Sequence, residues 1–335
     1  MSKKTKECDL SVVVPIFNGS QWLNVFLESL SDCLLSAGLE DAPVYIVNDG
    51  STDSTLEILK TCTYLNIQII NQENAGRLPA RIRGLSEVQT TFCLLIDVKV
   101  TLKKSSLSFA LDNLRRKPMS CWTAHVDYAL INWSSVVWVV LEKFAWRAYW
   151  KDPRRIHFFK EHFDDYPKGT TALIGNSKIL LTAMNDYTPK VNNLAHANDD
   201  TAILRSIAMN YGIHLSPEYS CTYHPRTSFL QFIKHVFNRG IFFVDGHLNT
   251  SSGIMHKILK LAVGAVLATG VSIFFPLFLW LAFAGLLGFL FFTNQVTDLP
   301  PTKRLLFLVM MFPFSVLYLS GVTTGIFHRL TTKFG

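Results

Sequence analysis

The stretches without charge constrain this chain most. No Asp, Glu, Lys or Arg lies between Lys260 and Asp298, and none lies between Arg304 and Arg329. Apolar runs longer than about 18 residues cross membranes or form fully buried core helices. The whole chain of 335 residues is 49% hydrophobic and 17% charged. A soluble domain carries about 25% charge, so the excess apolar surface needs lipid or an unusually large core. Such a composition excludes a disordered or fibrous chain.

The first apolar run is too long for one straight span. At 1.5 Å per residue, 260–292 would reach roughly 50 Å against a hydrocarbon core of about 30 Å. Pro276 lies in its middle, where proline removes a helical hydrogen bond. Two short helices, 260–275 and 276–292, fit best, with one kinked span as the rival. A further span is expected at 305–327. The sequence therefore predicts a membrane domain at 251–335 with two or three transmembrane helices. Lys257, Lys260, Lys303, Arg304, Arg329 and Lys333 stand there against Asp298 alone, so most of the net charge of +7 belongs to the membrane flanks. Cations there suit anionic headgroups, and no nucleic-acid-binding stripe is visible. The loop and the tail are both basic, so charge bias does not settle the number of spans.

Residues 1–250 read as a cytosolic domain. The start, MSKKTKECDLS, has basic residues but no apolar run of signal-peptide length. The six cysteines are widely spaced, with no C-x-x-C pair and no zinc spacing, as expected of reduced thiols. The expected location is the cytoplasmic membrane, multi-pass, with this domain facing the cytosol.

Within that domain, strands alternate with helices. Leu10–Ile16, 44–47, 66–70 and Phe92–Ile96 read as strands, all but 66–70 largely apolar, while 20–36, 53–62 and 78–88 have helical spacing. Ser51 or Thr52 is placed to cap the second helix. This is the pattern of an α/β fold whose mostly parallel sheet is covered by helices on both faces. Ligands of such sheets bind beyond the carboxyl ends of the strands. An aromatic stretch, 133–150, reads either as an interfacial helix or as a helix packed on the sheet. No G-x-G-x-x-G follows the first strand and no G-x-x-x-x-G-K-[ST] is present, which disfavours a dinucleotide dehydrogenase or a P-loop enzyme.

Four blocks, SVVVPIFNGSQWL, VYIVNDGSTDST, NQENAGRLPARIRGL and FCLLID, resemble in order and spacing the nucleotide-binding half of family 2 glycosyltransferases with the GT-A fold. GTTALIGNSKILL and NDDTAIL look like that family's acceptor half. The resemblance implies an inverting glycosyltransferase that moves a sugar from a nucleotide-sugar to a hydroxyl. UDP-sugars are the first expectation for the donor, with GDP and dTDP left open. The membrane segment points to a lipid-linked or cell-envelope glycan acceptor and to envelope polysaccharide biosynthesis.

The resemblance also implies roles. Pro15 and Asn18 would lie under the nucleoside. Asp49 would contact base or ribose, the rival reading being a turn made with Gly50 and Ser51. Asp53 reads better as a charge in the first turn of a helix. Arg77 and Arg81 are placed for the nucleotide or its diphosphate, since guanidinium forks match phosphate oxygens. Asp97 corresponds to the first acid of the D-x-D that presents carboxylates to Mg²⁺ or Mn²⁺. Here the third position is Lys99. Either Lys99 replaces the metal as a fixed cation, making the enzyme metal-independent, or Asp97 keeps a weak metal site with a ligand such as His224. Asp200 would be the general base and Asp199 its neighbour, the alternative being a helix cap. Arg239 loosely matches the arginine of Q-x-x-R-W, but glycine stands where that motif has tryptophan, which argues against processive polymerisation. A helix at 229–243 would carry Arg239 to the diphosphate.

Two other functions fit parts of the chain. A catalytically silent glycosyltransferase-like scaffold in an envelope assembly complex is supported by Lys99. A nucleotidyltransferase would need a glycine- and lysine-rich loop after the first strand, and PIFNGSQW has one glycine and no cation.

Overall fold

The computed structural model describes residues 8–129, 131–188, 199–247 and 298–333, with isolated positions between 260 and 288. The expected spans at 260–275 and 276–292 therefore lie outside the described residues, isolated positions apart.

The element order begins β1 (Leu10–Ile16), α1 (Ser20–Ala37), β2 (Val44–Asp49), α2 (Thr55–Thr61), β3 (Ile67–Gln72), α3 (Arg77–Ser86), β4 (Phe92–Ile96), β5 (Val100–Leu102) and α4 (Ser106–Arg116). It continues β6 (Cys121–Tyr128), α5 (Val136–Ala145), α6 (Arg147–Lys151), β7 (Ile156–Phe158), a 3-10 turn Lys160–Asp165, β8 (Ala172–Asn176) and α7 (Ser177–Asn185). Then come α8 (Asp199–Asn210), β9 (Ile213–Tyr223), α9 (Phe229–His247) and α10 (Pro301–Lys333). The strands form one nine-stranded sheet of order β3-β2-β1-β4-β8-β6-β9-β5, with β7 on β9.

The sheet is parallel from β3 to β4, as its apolar strands and intervening helices suggest. Beyond β4 it is mixed: β8 runs antiparallel to both β4 and β6, while β6 and β9 are parallel. The expected mostly parallel sheet thus holds for its first half only. Side chains alternate across it. Val12 and Val14 enter one core with α1 and α4, while Val13 enters the other with α3, α7 and α8. That double burial is why these strands show no polar alternation, and each buried Val, Leu or Ile contributes about 1.5–3 kcal/mol. Gly84 lets α3 lie on the sheet, since a Cβ there would sit 2.5 Å from Val13 Cγ1 and 3.0 Å from Val47 Cγ2. Arg77, Arg81 and Gly84 recur at helical spacing, so this contact holds both arginines at the strand ends.

Two local expectations change. Ser51 and Thr52 do not cap α2, which begins at Thr55. Instead the Asn18 amide donates to Ser51 Oγ at 3.0 Å, and the Thr52 amide donates to Asn18 Oδ1 at 2.8 Å. The aromatic stretch is not one helix. It breaks at Trp146, whose indole N–H donates to the Asp164 carbonyl at 3.0 Å.

A third core joins α5, α9 and α10 through Val136, Val140, Phe232, Val236, Phe314 and Tyr318. It lies across the boundary expected near residue 250. Pro301–Phe327 is the one helix among the described residues long and apolar enough to cross a membrane. Leu305, Val309, Phe312 and Val316 form an exposed apolar stripe along it. Helices α9 and α10 meet at Gly240 and Gly321. A Cβ on Gly240 would collide with the Tyr318 carbonyl oxygen, and one on Gly321 with that of Phe237. Small residues permit such backbone contact between helices.

Replacement of Gly321 by leucine is expected to destabilise this helix pair by about 1–3 kcal/mol. Thermal melting of the detergent-solubilised protein measures the loss. Gly264→Ala, where a Cβ would meet nothing within 4 Å among the described residues, is the control and should melt like the wild type.

Candidate active site

The carboxyl ends of β1, β2 and β4 converge with the first turns of α3 and α8. Pro15 occupies β1 opposite Val47, beyond the residues that pair with β4, so its missing N–H costs that side of the ladder nothing. Asn18 has φ 49° and ties the turn after β1 to the turn after β2 through Ser51 and Thr52. Asp53 reinforces this tie. Its carboxylate accepts from the amide and hydroxyl of Thr55 and, at 3.1 Å, from the Ser20 amide. These bonds hold Asp53 below the usual carboxylate range against the opposing effect of burial.

Asp49 is buried at the end of β2. Its Oδ1 accepts from Gln72 Nε2 at 2.7 Å and the Ala75 amide at 2.8 Å, and its Oδ2 accepts from the Gly76 amide at 2.9 Å. A carboxylate has about four acceptor positions, so roughly one remains for a ligand. The turn that was the rival reading for Asp49 is made by Asn48, whose Oδ1 accepts from the Ser51 amide at 3.1 Å. Asp49 instead shapes the loop that delivers Arg77.

The centre of the site is Arg81, whose side chain is 1% exposed. One end of its guanidinium donates to Asp97 Oδ1 at 3.1 Å and the other to Asp200 Oδ1 at 3.0 Å. Thr170 adds its hydroxyl to the same Asp200 oxygen. Arg77 pairs with Asp200 Oδ2 at 3.3 Å. Burial pushes the Asp200 carboxyl up, but Arg77, Arg81 and Arg239, together with the Thr170 hydroxyl, hold it well below the usual range. The surrounding cations therefore favour the ionised form of Asp200. Asp199 opens α8 immediately before it; its side chain lies outside the description.

Lys99 leaves β4 and crosses Trp22, with Nζ 4.1 Å from the ring centroid. Burial, then the nearby Arg226, lower its pKa to about 7, against the opposing pull of Asp97. His224 donates its amide to the Lys99 carbonyl at 2.8 Å, and its Nε2 lies 3.1 Å from Thr101 Oγ1. Arg239 sits on α9, close enough for its charge to act on Asp200.

The donor set does not match a divalent-cation site. Of the two D-x-D positions, Asp97 alone is a carboxylate, and its Oδ1 already pairs with Arg81. An ammonium occupies the other position, and His224 engages Thr101. Among the described residues, no group of three or more His, Cys, Asp and Glu side chains is placed for a metal.

Three contributors escaped the sequence reading: Thr170, Trp22 and Arg226. Thr170 lies just before β8, and the antiparallel register Ile96↔Ala172 brings that end to Asp97, whose amide donates to the Thr171 carbonyl at 3.0 Å. The GTTALIGN block was a signal for it, but only the strand pairing assigns the hydroxyl to Asp200. Trp22 reads as one apolar position of α1, and nothing local links it to Lys99.

Arg81→Gln should leave Asp97 and Asp200 facing each other without their shared cation. The expected cost is about 3–5 kcal/mol of stability. It would be measured by chemical unfolding, with surface Arg83→Gln as a control expected to fall within about 0.5 kcal/mol of wild type.

Comparison with known proteins bears on the family and the fold. Residues 11–174 match the family model described as Glycosyl transferase family 2. An uncharacterized glycosyltransferase of Escherichia coli, YibD, is 32% identical over 110 residues, which is 31% of this chain and 31% of that protein. The cholesterol galactosyltransferase of Borreliella burgdorferi is 30% identical over 127 residues, 37% of this chain and 34% of that protein. The chain thus spans about a third of the length of these curated relatives. The mannosyltransferase PcManGT of Pyrobaculum calidifontis, solved with GDP-Man and Mn²⁺, superposes with a TM-score of 0.56 at 14% identity, covering 96% of this chain and 88% of that one. That likeness shows the shared fold. With the four strand-end blocks on one sheet and the family model matching across them, residues 11–174 carry a glycosyl transferase family 2 domain.

Proposed function

We propose that this protein is a membrane-bound inverting glycosyltransferase that moves a sugar from a nucleotide-sugar, UDP-linked in the first instance, to a hydroxyl of a lipid-linked or cell-envelope glycan. The observation that carries this reading is one buried guanidinium joining Asp97 at a strand end to Asp200 at the start of α8. It sets a carboxylate next to the place where a donor diphosphate would lie.

In this reading the acceptor hydroxyl gives its proton to Asp200 while its oxygen attacks the anomeric carbon. The bond from that carbon to the diphosphate breaks, and its electron pair leaves with the nucleotide. One displacement inverts the configuration. A base must lie within hydrogen-bond reach of the hydroxyl. Charge developing on the leaving diphosphate calls for cations beside it, which Arg77, Lys99 and Arg239 supply. No step is routed through a metal, because the donor set around Asp97 does not suit one. The apolar stripe of α10 and the charge-free run after Lys260 support membrane attachment, with 1–250 as the catalytic part and 251–335 as the anchor. A second reading, a silent scaffold, is favoured by Lys99 and by the two arginines that neutralise Asp200.

Nucleotide release from UDP-, GDP- and dTDP-sugars in membranes containing the protein separates the two. At least one donor is expected to be turned over, with turnover lost in Asp200→Asn and retained in EDTA. Release abolished by EDTA would overturn the cation role of Lys99, and no release from any donor would favour the scaffold.

Lys99 also sets a pH dependence. In the free protein it loses its proton above about 7. A bound diphosphate favours the ammonium, so binding takes up a proton there and weakens as pH rises. Titration calorimetry from pH 6 to 9 should show nucleotide affinity falling in the wild type. The same series with Lys99→Gln should be flat.

A further inference from the structure

Asp200 presents a conflict. A proton acceptor works best when its pKa lies near the working pH, yet Asp200 is held as a stable anion by two guanidinium groups and a hydroxyl. The two carboxylate oxygens differ in what holds them. Oδ1 receives Arg81 and Thr170, which are each 1% exposed. Arg81 cannot leave without also abandoning Asp97, so this side is fixed. Oδ2 receives Arg77 at 3.3 Å, and the Arg77 side chain is 38% exposed where that of Arg81 is buried. Arg77 is the first residue of α3 and follows directly on the loop pinned by Asp49.

We propose that Arg77 is a positioning residue that exchanges partners: it holds Asp200 Oδ2 in the donor-free protein and moves to the donor diphosphate in the complex, so that donor binding releases the base. The inference rests on the glycosyltransferase reading above and deepens it. A diphosphate carries at least the charge of a carboxylate and offers several oxygens to a guanidinium fork, so it competes for Arg77 on favourable terms. Once Arg77 leaves, Oδ2 loses the guanidinium that pairs with it and becomes the more basic oxygen, with Arg239 still contributing its charge, while Arg81 and Thr170 keep the carboxylate in place. The base becomes competent only with donor present. The cost of breaking the Arg77–Asp200 pair falls on donor binding, and that makes the exchange measurable without turnover.

Titration calorimetry of the full chain in detergent would use UDP, GDP and dTDP as probes. The proteins would be the wild type, Asp200→Asn, Arg77→Gln and the double variant. Asp200→Asn should tighten nucleotide binding about threefold, the strength of a partly exposed ion pair. Arg77→Gln should weaken binding. In the Arg77→Gln background, Asp200→Asn should have almost no effect, because the competing pair is already gone. Equal tightening in both backgrounds would reveal simple removal of a negative charge and overturn the exchange; so would no effect of Asp200→Asn in either. Asp97→Asn, which pairs with Arg81, should act additively with Arg77→Gln. If Asp200→Asn does not fold, Asp200→Ala takes its place in the cycle. Failure of the wild type to bind any of the three nucleotides would instead overturn the glycosyltransferase reading, and the exchange with it.

Discussion

A buried cation organises this molecule. An unpaired guanidinium in a protein interior costs several kcal/mol, so Arg81 at 1% exposure requires anions on both ends of its fork. Asp97 and Asp200 provide them, from positions 16 and 119 residues away. The requirement constrains three elements together. Helix α3 must lie close on β1 and β2, which Gly84 permits. Strand β4 must end level with its first turns, and α8 must begin there. The parallel half of the sheet and the mixed half are thus joined at the site by charge as well as by strand pairing.

A second constraint comes from the carboxyl-terminal side. The core shared by α5, α9 and α10 fastens the apolar helix to the last helix of the sheet domain. Arg239 sits on α9 one residue before the glycine that meets Gly321. The cation whose charge reaches Asp200 is therefore positioned by a helix crossing, not by the sheet. Loosening that crossing acts on both the anchor and the electrostatics of the site.

Much of the first half was legible because its signals are local. A run such as Leu10–Ile16 needs only its own side chains to declare a doubly buried strand, and Phe92–Ile96 likewise. Arg77 and Arg81 stand four residues apart, so with α3 starting at Arg77 both lie on one face of it. The second half was less legible because its pairings are long-range. Nothing near residue 172 announces that β8 runs antiparallel to β4, and the sheet was accordingly read as mostly parallel. Asp49 shows a subtler limit: its residue type fits a ligand contact, a turn or a loop brace equally well, and only the positions of Gln72, Ala75 and Gly76 reveal the brace. Trp146 illustrates the same point, since an apolar helical pattern runs through it and a bond from its ring to Asp164 accompanies the break.

By itself, the sequence determined the strands and helices of the first hundred residues, the charge-free helix near the carboxyl terminus, the family resemblance and the set of titratable residues from which a site could be built. The strands and helices follow from hydrophobic periodicity and spacing, which act over a few residues. Tertiary structure alone decided which of those residues meet. It put Thr170 on Asp200, set Lys99 against Trp22, and gave the buried Arg81 two carboxylates and the more exposed Arg77 the other oxygen of Asp200. The reason is physical: the charge state and freedom of a side chain depend on burial and on partners a hundred residues away, and these exist only once the sheet has closed around them.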